Sequence, residues 1–187
     1  DMKQAIHTYG DDVLREPARP VAEVDDRIRA LAKDMIETMR LERGVGLAAQ
    51  QVGSTDALCV IEVPLEMDRS EDGVVHNPGV TMPLVLVNTE ITDFSRERET
   101  GDEGCLSFPG IYAPVSRSAE VTVKFLDLKG KPQELRLKKF VARVAQHEID
   151  HVNGVLFVDR MSRIKRIALS GQLKRLKKET REALETA

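Results

Sequence analysis

At 187 residues, 41% hydrophobic and 32% charged with a net charge of -3, the chain is long enough to bury a core as one domain without disulfide or metal staples. Two cysteines, Cys59 and Cys105, exclude a secreted disulfide framework, and no N-terminal pattern of basic, apolar and small residues reads as an export signal. Apolar runs such as Ala57–Ile61 and Leu84–Val87 fall far short of the roughly 18 residues of a membrane span, so a reducing, cytoplasmic setting without a membrane partner is expected.

In chain order, Ile6–Tyr9 reads as a short strand, and Asp11–Asp12 followed by Pro17 and Pro20 as an irregular segment. From Asp25 or Asp26 onward, Ile28, Leu31, Met35, Ile36 and Met39 recur at three and four residues, which predicts a helix with one buried face. Gly44–Gly53 (GVGLAAQQVG) follows, small residues that let another backbone approach closely, with two glutamines beside them. The run lacks the GxxxxGK[ST] lysine and full GxGxxG spacing, which argues against a nucleotide loop; one of the glutamines is expected to be functional. Ala57–Val63 reads as a core strand with Cys59 as a buried hydrophobe, Pro64–Pro83 as a long loop or hairpin excursion with His76 exposed, and Pro83–Asn88 as a strand prolonged through Glu90–Thr92.

Gly101–Gly110 shows neither helical nor strand periodicity, so Cys105, between Gly104 and Ser107, is expected in an exposed loop as a nucleophile or a metal ligand. Glu120–Phe125 and Gln133–Leu137 alternate around Asp127–Lys131 and predict a hairpin. Phe140, Val141, Val144, Ala145, His147, Glu148, His151 and Val152 have helical spacing, with Gly154 ending the helix. Val155–Phe157 is expected to add a short strand before a terminal helix whose stripe of Ile164, Ile167, Ala168, Leu173, Leu176 and Leu184 is interrupted by Gly171. The last 27 residues carry eight Lys/Arg against three Glu, a basic element on an acidic body that fits either a polyanion such as RNA or a solvated face.

His147 and His151 stand four apart on one helical face with Glu148 beside the first, the spacing at which two imidazoles share one metal ion. A cysteine nucleophile needs a basic partner, and the only histidines placed in a motif are these two, so the Cys105 thiolate more economically completes their site. The usual protease completions fit poorly: the position of a third histidine is Phe157, and Glu179, Glu182 and Glu185 lie in a lysine-rich helix that reads as exposed. Three protein ligands leave one coordination position for water, with Glu148 placed to take its proton, and the expected reaction is hydrolysis of a carbonyl compound. A general metallopeptidase and a binding protein with a structural metal are the rival readings.

Three stretches in order resemble the peptide deformylases: Gly44–Gln51 meets GxGxAAxQ, Glu103–Ser107 meets EGCLS and Gln146–His151 meets QHExDH. The resemblance covers nearly the whole chain. It implies removal of the N-formyl group from the initiator methionine of nascent polypeptides, with formate as the other product. It also implies one divalent metal ion, typically Fe2+ and readily replaced by Zn2+ or Ni2+. Carried over residue by residue, Cys105, His147 and His151 would be the ligands and Glu148 the general acid/base. Gln51 and the backbone N–H of Leu106 would bind the formyl oxygen. Gly46 and Gly104 would leave room for the peptide backbone, and Val45, Phe140 and Val144, with the His147 ring, would form the methionine pocket.

Arg143, at the expected pocket edge, departs from an apolar composition. Asp150 is expected either to orient a ligand or an arginine or to face solvent, and Glu103 with Arg117 to form a loop-fixing pair. The resemblance further implies ribosome docking through residues 163–187; DNA is not an expected partner. Elements and resemblance together lead us to expect an α+β fold over residues 1–187. Antiparallel β-sheets would pack around a central HExxH helix, with an N-terminal and a C-terminal helix.

Overall fold

The computed structural model describes residues 4–187. Helix α1 spans Asp26–Leu41, where Asp25 caps it by accepting from the Ile28 N–H; loss of such a cap costs about 1 kcal/mol. Its inner face is Ile28, Ala32, Met35, Thr38 and Met39, the three-and-four spacing read from the sequence. The chain leaves it through Arg43, a non-glycine residue at φ 59, and enters strand β1, Gly46–Ala48.

β1 pairs with β2 (Leu58–Ile61), β2 with β3 (Leu84–Phe94), β3 with β6 (Glu120–Leu126) and β6 with β7 (Pro132–Lys138), giving an antiparallel sheet in the order β1-β2-β3-β6-β7. Every residue of β2 is buried. Leu58 and Val60 join the cluster of α1, while Cys59 and Ile61 join that of helix α2, Lys139–Val152. The sheet is thus covered by a helix on each face, and each buried aliphatic side chain contributes roughly 1.5–3 kcal/mol. Eleven of the residues of α2 are buried. Gly154 ends that segment at φ 77, where an added Cβ would stand 2.8 Å from the Arg15 carbonyl oxygen, so conformation and space both require glycine.

A second, two-stranded sheet pairs β4 (Arg98–Glu103) with β5 (Ala113–Ser118). Helices α3 (Arg163–Ala168) and α4 (Ser170–Glu185) follow α2 in the chain. Leu169 and Leu173 close a cluster around Phe108, Leu156 and Phe157. The N-terminal segment is clamped between this cluster and the first turn after β1. His7 N–H donates to the Gln51 carbonyl, Tyr9 N–H to the Ser107 carbonyl, and the Tyr9 ring stacks on Phe108 at 4.9 Å. Among the described residues no helix is long and apolar enough to cross a membrane.

Several local expectations change. Ile6–Tyr9 is no strand, because its hydrogen bonds go singly to two different loops. Val155–Phe157 gives way to a 3-10 turn at Phe157–Asp159, where the Asp159 carboxylate accepts from the Leu156 N–H. The stretch read as a loop from Gly101 is strand through Glu103, since its backbone pairs with β5 despite a polar sequence without a buried face. His76 is half-buried rather than exposed, because Asp68 and Asn77 fold the 64–83 excursion back onto the Lys138 backbone. The terminal helix breaks at Leu169, not Gly171, and Ile164 and Ile167 are 82% and 63% exposed.

Candidate metal centre and cleft

His147 and His151 project from one face of α2, their ring centroids 5.1 Å apart. Cys105 stands two residues beyond the end of β4, with its Sγ 3.3 Å from His151 Nε2. One ligand atom from each of the three lies within 4.8 Å of the others, close enough to share one ion. The surroundings of His147 favour the same reading: the Glu103 carboxylate accepts from His147 Nδ1–H at 2.9 Å, which leaves Nε2 available to an ion. A thiolate with two imidazoles is a donor set suited to iron, zinc or nickel rather than calcium or magnesium. Glu148, whose buried Oε1 has no hydrogen-bond partner among the described residues, stands beside them.

Glu103 is the hub of this site. Arg117 grips it with two parallel bonds of 2.9 Å, and Arg143 Nη1 donates to Oε2 at 2.7 Å. Arg117 also donates to Asp150 at 2.6 Å, and Arg160 holds Asp150 with a fork of 3.1 and 3.0 Å. The Glu103–Arg117 pair therefore forms, and Asp150 serves an arginine rather than solvent.

A cleft of about 420 Å³ opens in front of the ligands. Val45, Gly46, Gln51, Gly104, Cys105, Leu106, Phe140, Val144, His147 and Glu148 all line it, so the structure gathers nearly every expected site residue. His151 stays behind Cys105, only 1% exposed. The two glutamines separate cleanly. Gln50 points away and donates to the Glu16 and Val152 carbonyls. Gln51 faces the cleft with its amide oriented: Oε1 accepts from the Ala48 N–H at 3.0 Å, and Nε2 donates to Ser107 Oγ at 3.1 Å and reaches Cys105 Sγ at 3.6 Å.

A profile of the polypeptide deformylase family matches residues 3–167. The chain belongs to this family. A peptide deformylase from a Picosynechococcus species is 46% identical over 169 residues, which are 90% of this chain and 83% of that protein. The crystal structure of the peptide deformylase from Ehrlichia chaffeensis superposes with a TM-score of 0.84 at 35% identity, over 98% of this chain and 99% of that one. The Synechococcus elongatus peptide deformylase, solved with actinonin, gives 0.79 at 40% identity, over 92% and 85%. This deformylase is accordingly a metal-dependent hydrolase of translation, which removes the N-formyl group from formyl-methionine at the start of nascent polypeptides and releases formate. Its α+β fold is that of the solved deformylases.

The electrostatics of the deformylase site follow from burial and pairing. Burial pushes the Glu148 carboxyl up to about 7, with His147 pulling it down and Glu103 pushing it up. Burial holds His151 well below the ordinary imidazole range, with the charge of His147 in the same direction, so its imidazole is neutral. His147 goes the other way, since burial, which lowers it, is outweighed by Glu148, Cys105 and Glu103; a metal ion at this imidazole would compete with a proton. Burial alone would raise Glu103, but the Arg117 fork and His147 hold it well below the usual carboxylate range. A carboxyl depressed in the folded state stabilises the fold above its unfolded value of about 4.3 and loses that contribution as pH falls through its folded value. Urea unfolding of the metal-free protein should thus show this contribution intact above about pH 5 and declining below about pH 4.3. Glu103→Gln should flatten that part of the profile.

Ser107 lay inside a recognised motif without a role assigned to it. The structure makes it the acceptor for Gln51 and a donor to the His7 carbonyl at 2.6 Å, so it fixes where the Gln51 amide points. Ser107→Ala is expected to lower kcat/KM about tenfold, the worth of one hydrogen bond near 1.4 kcal/mol, mainly through kcat. An unchanged kcat would show that the bonds of the Gln51 amide from the Ala48 N–H and to the Cys105 sulfur suffice. Phe157, noted only as the missing third histidine, packs its ring 5.7 Å from that of His147 and edge-on to Phe108. No local sequence signal distinguishes such a packing residue, because its partner lies ten positions back on another element.

Proposed function

We propose that Cys105, His147 and His151 hold one divalent ion, iron(II) in the native protein with zinc or nickel as substitutes, and that Glu148 is the general acid/base. The observation that carries this reading is the position of Glu148. Its carboxyl lines the same cleft as Cys105, His147 and Gln51 and has a proton affinity near neutrality. When bound, the metal supplies Lewis acidity and lowers the pKa of water towards about 7. The residues do the rest. Glu148 removes a proton from the attacking water and delivers it to the leaving amine. Gln51 Nε2 and the Leu106 N–H receive the formyl oxygen as it gains negative charge, an interaction worth about 10²–10³ in rate per donor. Val45, Phe140 and Val144 accept the methionine side chain, while Gly46 and Gly104 border the peptide backbone, which pairs with the free edge of β1.

Elemental analysis of anaerobically purified protein, together with formate release from a formyl-Met peptide, tests the metal and the chemistry. Iron at about one equivalent with full activity is expected; full activity in metal-free protein would overturn the proposal. Residues 1–187 are proposed as one catalytic unit working in the cytoplasm, where nascent chains are made. The basic segment 163–187 is proposed to dock on the ribosome. Support comes from exposed Lys174, Arg175 and Lys178 on α4, which lies beyond the family match. Reversing these three charges should abolish salt-dependent ribosome binding and spare hydrolysis of free peptides; binding unchanged by the reversal would refute docking through this face.

A further inference from the structure

We propose that Arg143 is a positioning residue for the metal centre, clamping the ribbon that carries Cys105 against the helix that carries both histidines. The inference rests on the metal reading above. Arg143 is only 9% exposed, and its guanidinium spans several acceptors. Nη1 donates to Glu103 Oε2 at 2.7 Å and to the Val115 carbonyl at 2.8 Å, and reaches the Gly101 carbonyl at 3.5 Å. Nη2 donates to the Glu99 carbonyl at 2.7 Å. One side chain of α2 thereby bonds both strands of the β4–β5 ribbon and the carboxylate that orients His147.

The consequence follows from chain connectivity. Cys105 hangs two residues beyond Glu103, whereas His147 and His151 belong to α2, so the ligand set is assembled across the boundary between ribbon and helix. That boundary is bridged by side chains: Arg143 at Glu99, Glu103 and Val115, His147 at Glu103, the exposed Lys139 at the Glu99 carboxylate, Gln146 at both backbone groups of Ser118, and Arg117 at Asp150. Arg117 and Gln146 hold the ribbon at Arg117 and Ser118, on β5. Arg143 holds β4 itself, the strand that leads directly into Cys105. A guanidinium suits the task because its planar fork meets a carboxylate and several carbonyls at once, which a point-charge ammonium does not. Gly101 belongs to the same arrangement, since an added Cβ there would stand 3.3 Å from the guanidinium carbon.

The unexpected charge in the methionine pocket is explained by the same geometry. The side chain of Arg143 borders the cleft, while both terminal nitrogens of its guanidinium are turned into the ribbon and bonded there. Arg143 therefore reaches the substrate only as a wall and acts on the reaction through Cys105 and Glu103.

Arg143→Met keeps an unbranched apolar stem and removes every donor, while Arg117 still pairs Glu103. Cobalt(II) affinity of the full chain, measured by competition with a chromophoric chelator, and the thiolate-to-cobalt absorption are read beside the melting temperature of the metal-free protein. Arg143→Met is expected to bind cobalt about 10–100-fold more weakly, with an altered thiolate band, as for loss of other groups that orient metal ligands. Arg143→Lys is expected to fall between. Affinity within about threefold of the parent chain with an unchanged band, even with a lowered melting temperature, would make Arg143 a packing residue and overturn the inference. Full affinity in Arg143→Lys would overturn it as well, because charge alone would suffice. A parent chain that binds no cobalt through its thiolate would instead refute the metal reading and is told apart by that control.

Discussion

Glu148→Gln is expected to lower kcat/KM about 10²–10⁴-fold, the range for removing a general acid/base, while metal content and KM for a formyl-Met peptide stay close to those of the parent. The substitution is nearly isosteric at a site only 4% exposed, so the packing of β1 against α2 survives and the loss reports on proton transfer. The pH profile gives a second readout. A carboxyl raised to about 7 in the metal-free site is half protonated near neutral pH and must be ionised to act as a base. A cation held at the neighbouring ligands favours the carboxylate, so the acid limb of kcat/KM in the metal-loaded enzyme is expected below pH 7. Activity should rise with pH through that limb and the limb should vanish in Glu148→Gln. Retention of more than about a tenth of the parent rate would remove Glu148 from the proposed role.

Gly46→Ala carries the second large effect, about 10²-fold in kcat/KM, for a reason specific to this geometry. A Cβ at position 46 would lie 2.5 Å from Glu148 Oε2, 2.8 Å from its Cγ and 2.9 Å from its Cδ. Glu148 is buried on the opposite side by α2 and the sheet, so its carboxyl has to move along the cleft, and displacement of a catalytic group by about 1 Å is worth a hundredfold. The sequence led us to expect that Gly46 serves the peptide backbone; the geometry adds that it leaves room for the Glu148 carboxyl. Separate determination of kcat and KM decides which service dominates. A fall in kcat with KM within about threefold is the expected result. A raised KM with kcat preserved would assign the glycine to backbone pairing instead.

Gly104 offers a useful contrast. An added Cβ there would run into the Tyr112 ring, but Tyr112 is 67% exposed, with solvent to turn into. The two glycines that line the cleft are therefore unequal in what surrounds them: one faces a buried carboxyl, the other an exposed ring.

Much of this protein was legible in the order of its residues, where the information is local. The i, i+4 pair of His147 and His151 needs only the helical period to become half of a metal site, and the buried faces of α1 and α2 follow from the same period. The hairpin of β6 and β7 follows from alternation around Asp127–Lys131. The choice of Gln51 over Gln50 came from motif alignment; in the structure the Gln51 amide turns to Ser107 and Cys105 and the Gln50 amide to backbone carbonyls.

What stayed illegible depends on contacts between elements distant in the chain. The polar run Arg98–Glu103 has no periodicity to betray a strand, because its pairing partner and the arginines from β5 and α2, rather than its own buried face, hold it in place. The meaning of Arg143 was hidden for the same reason: a charge beside an apolar pocket reads as an exception until its four acceptors on β4 and β5 are known. Residue types and their local spacing pointed to the reaction class and to Cys105, His147, His151 and Glu148 as the proposed ligands and base. Only the tertiary structure decided how ribbon and helix are locked at the distance one metal ion can bridge, because that distance is set by side chains reaching across more than 25 positions of sequence.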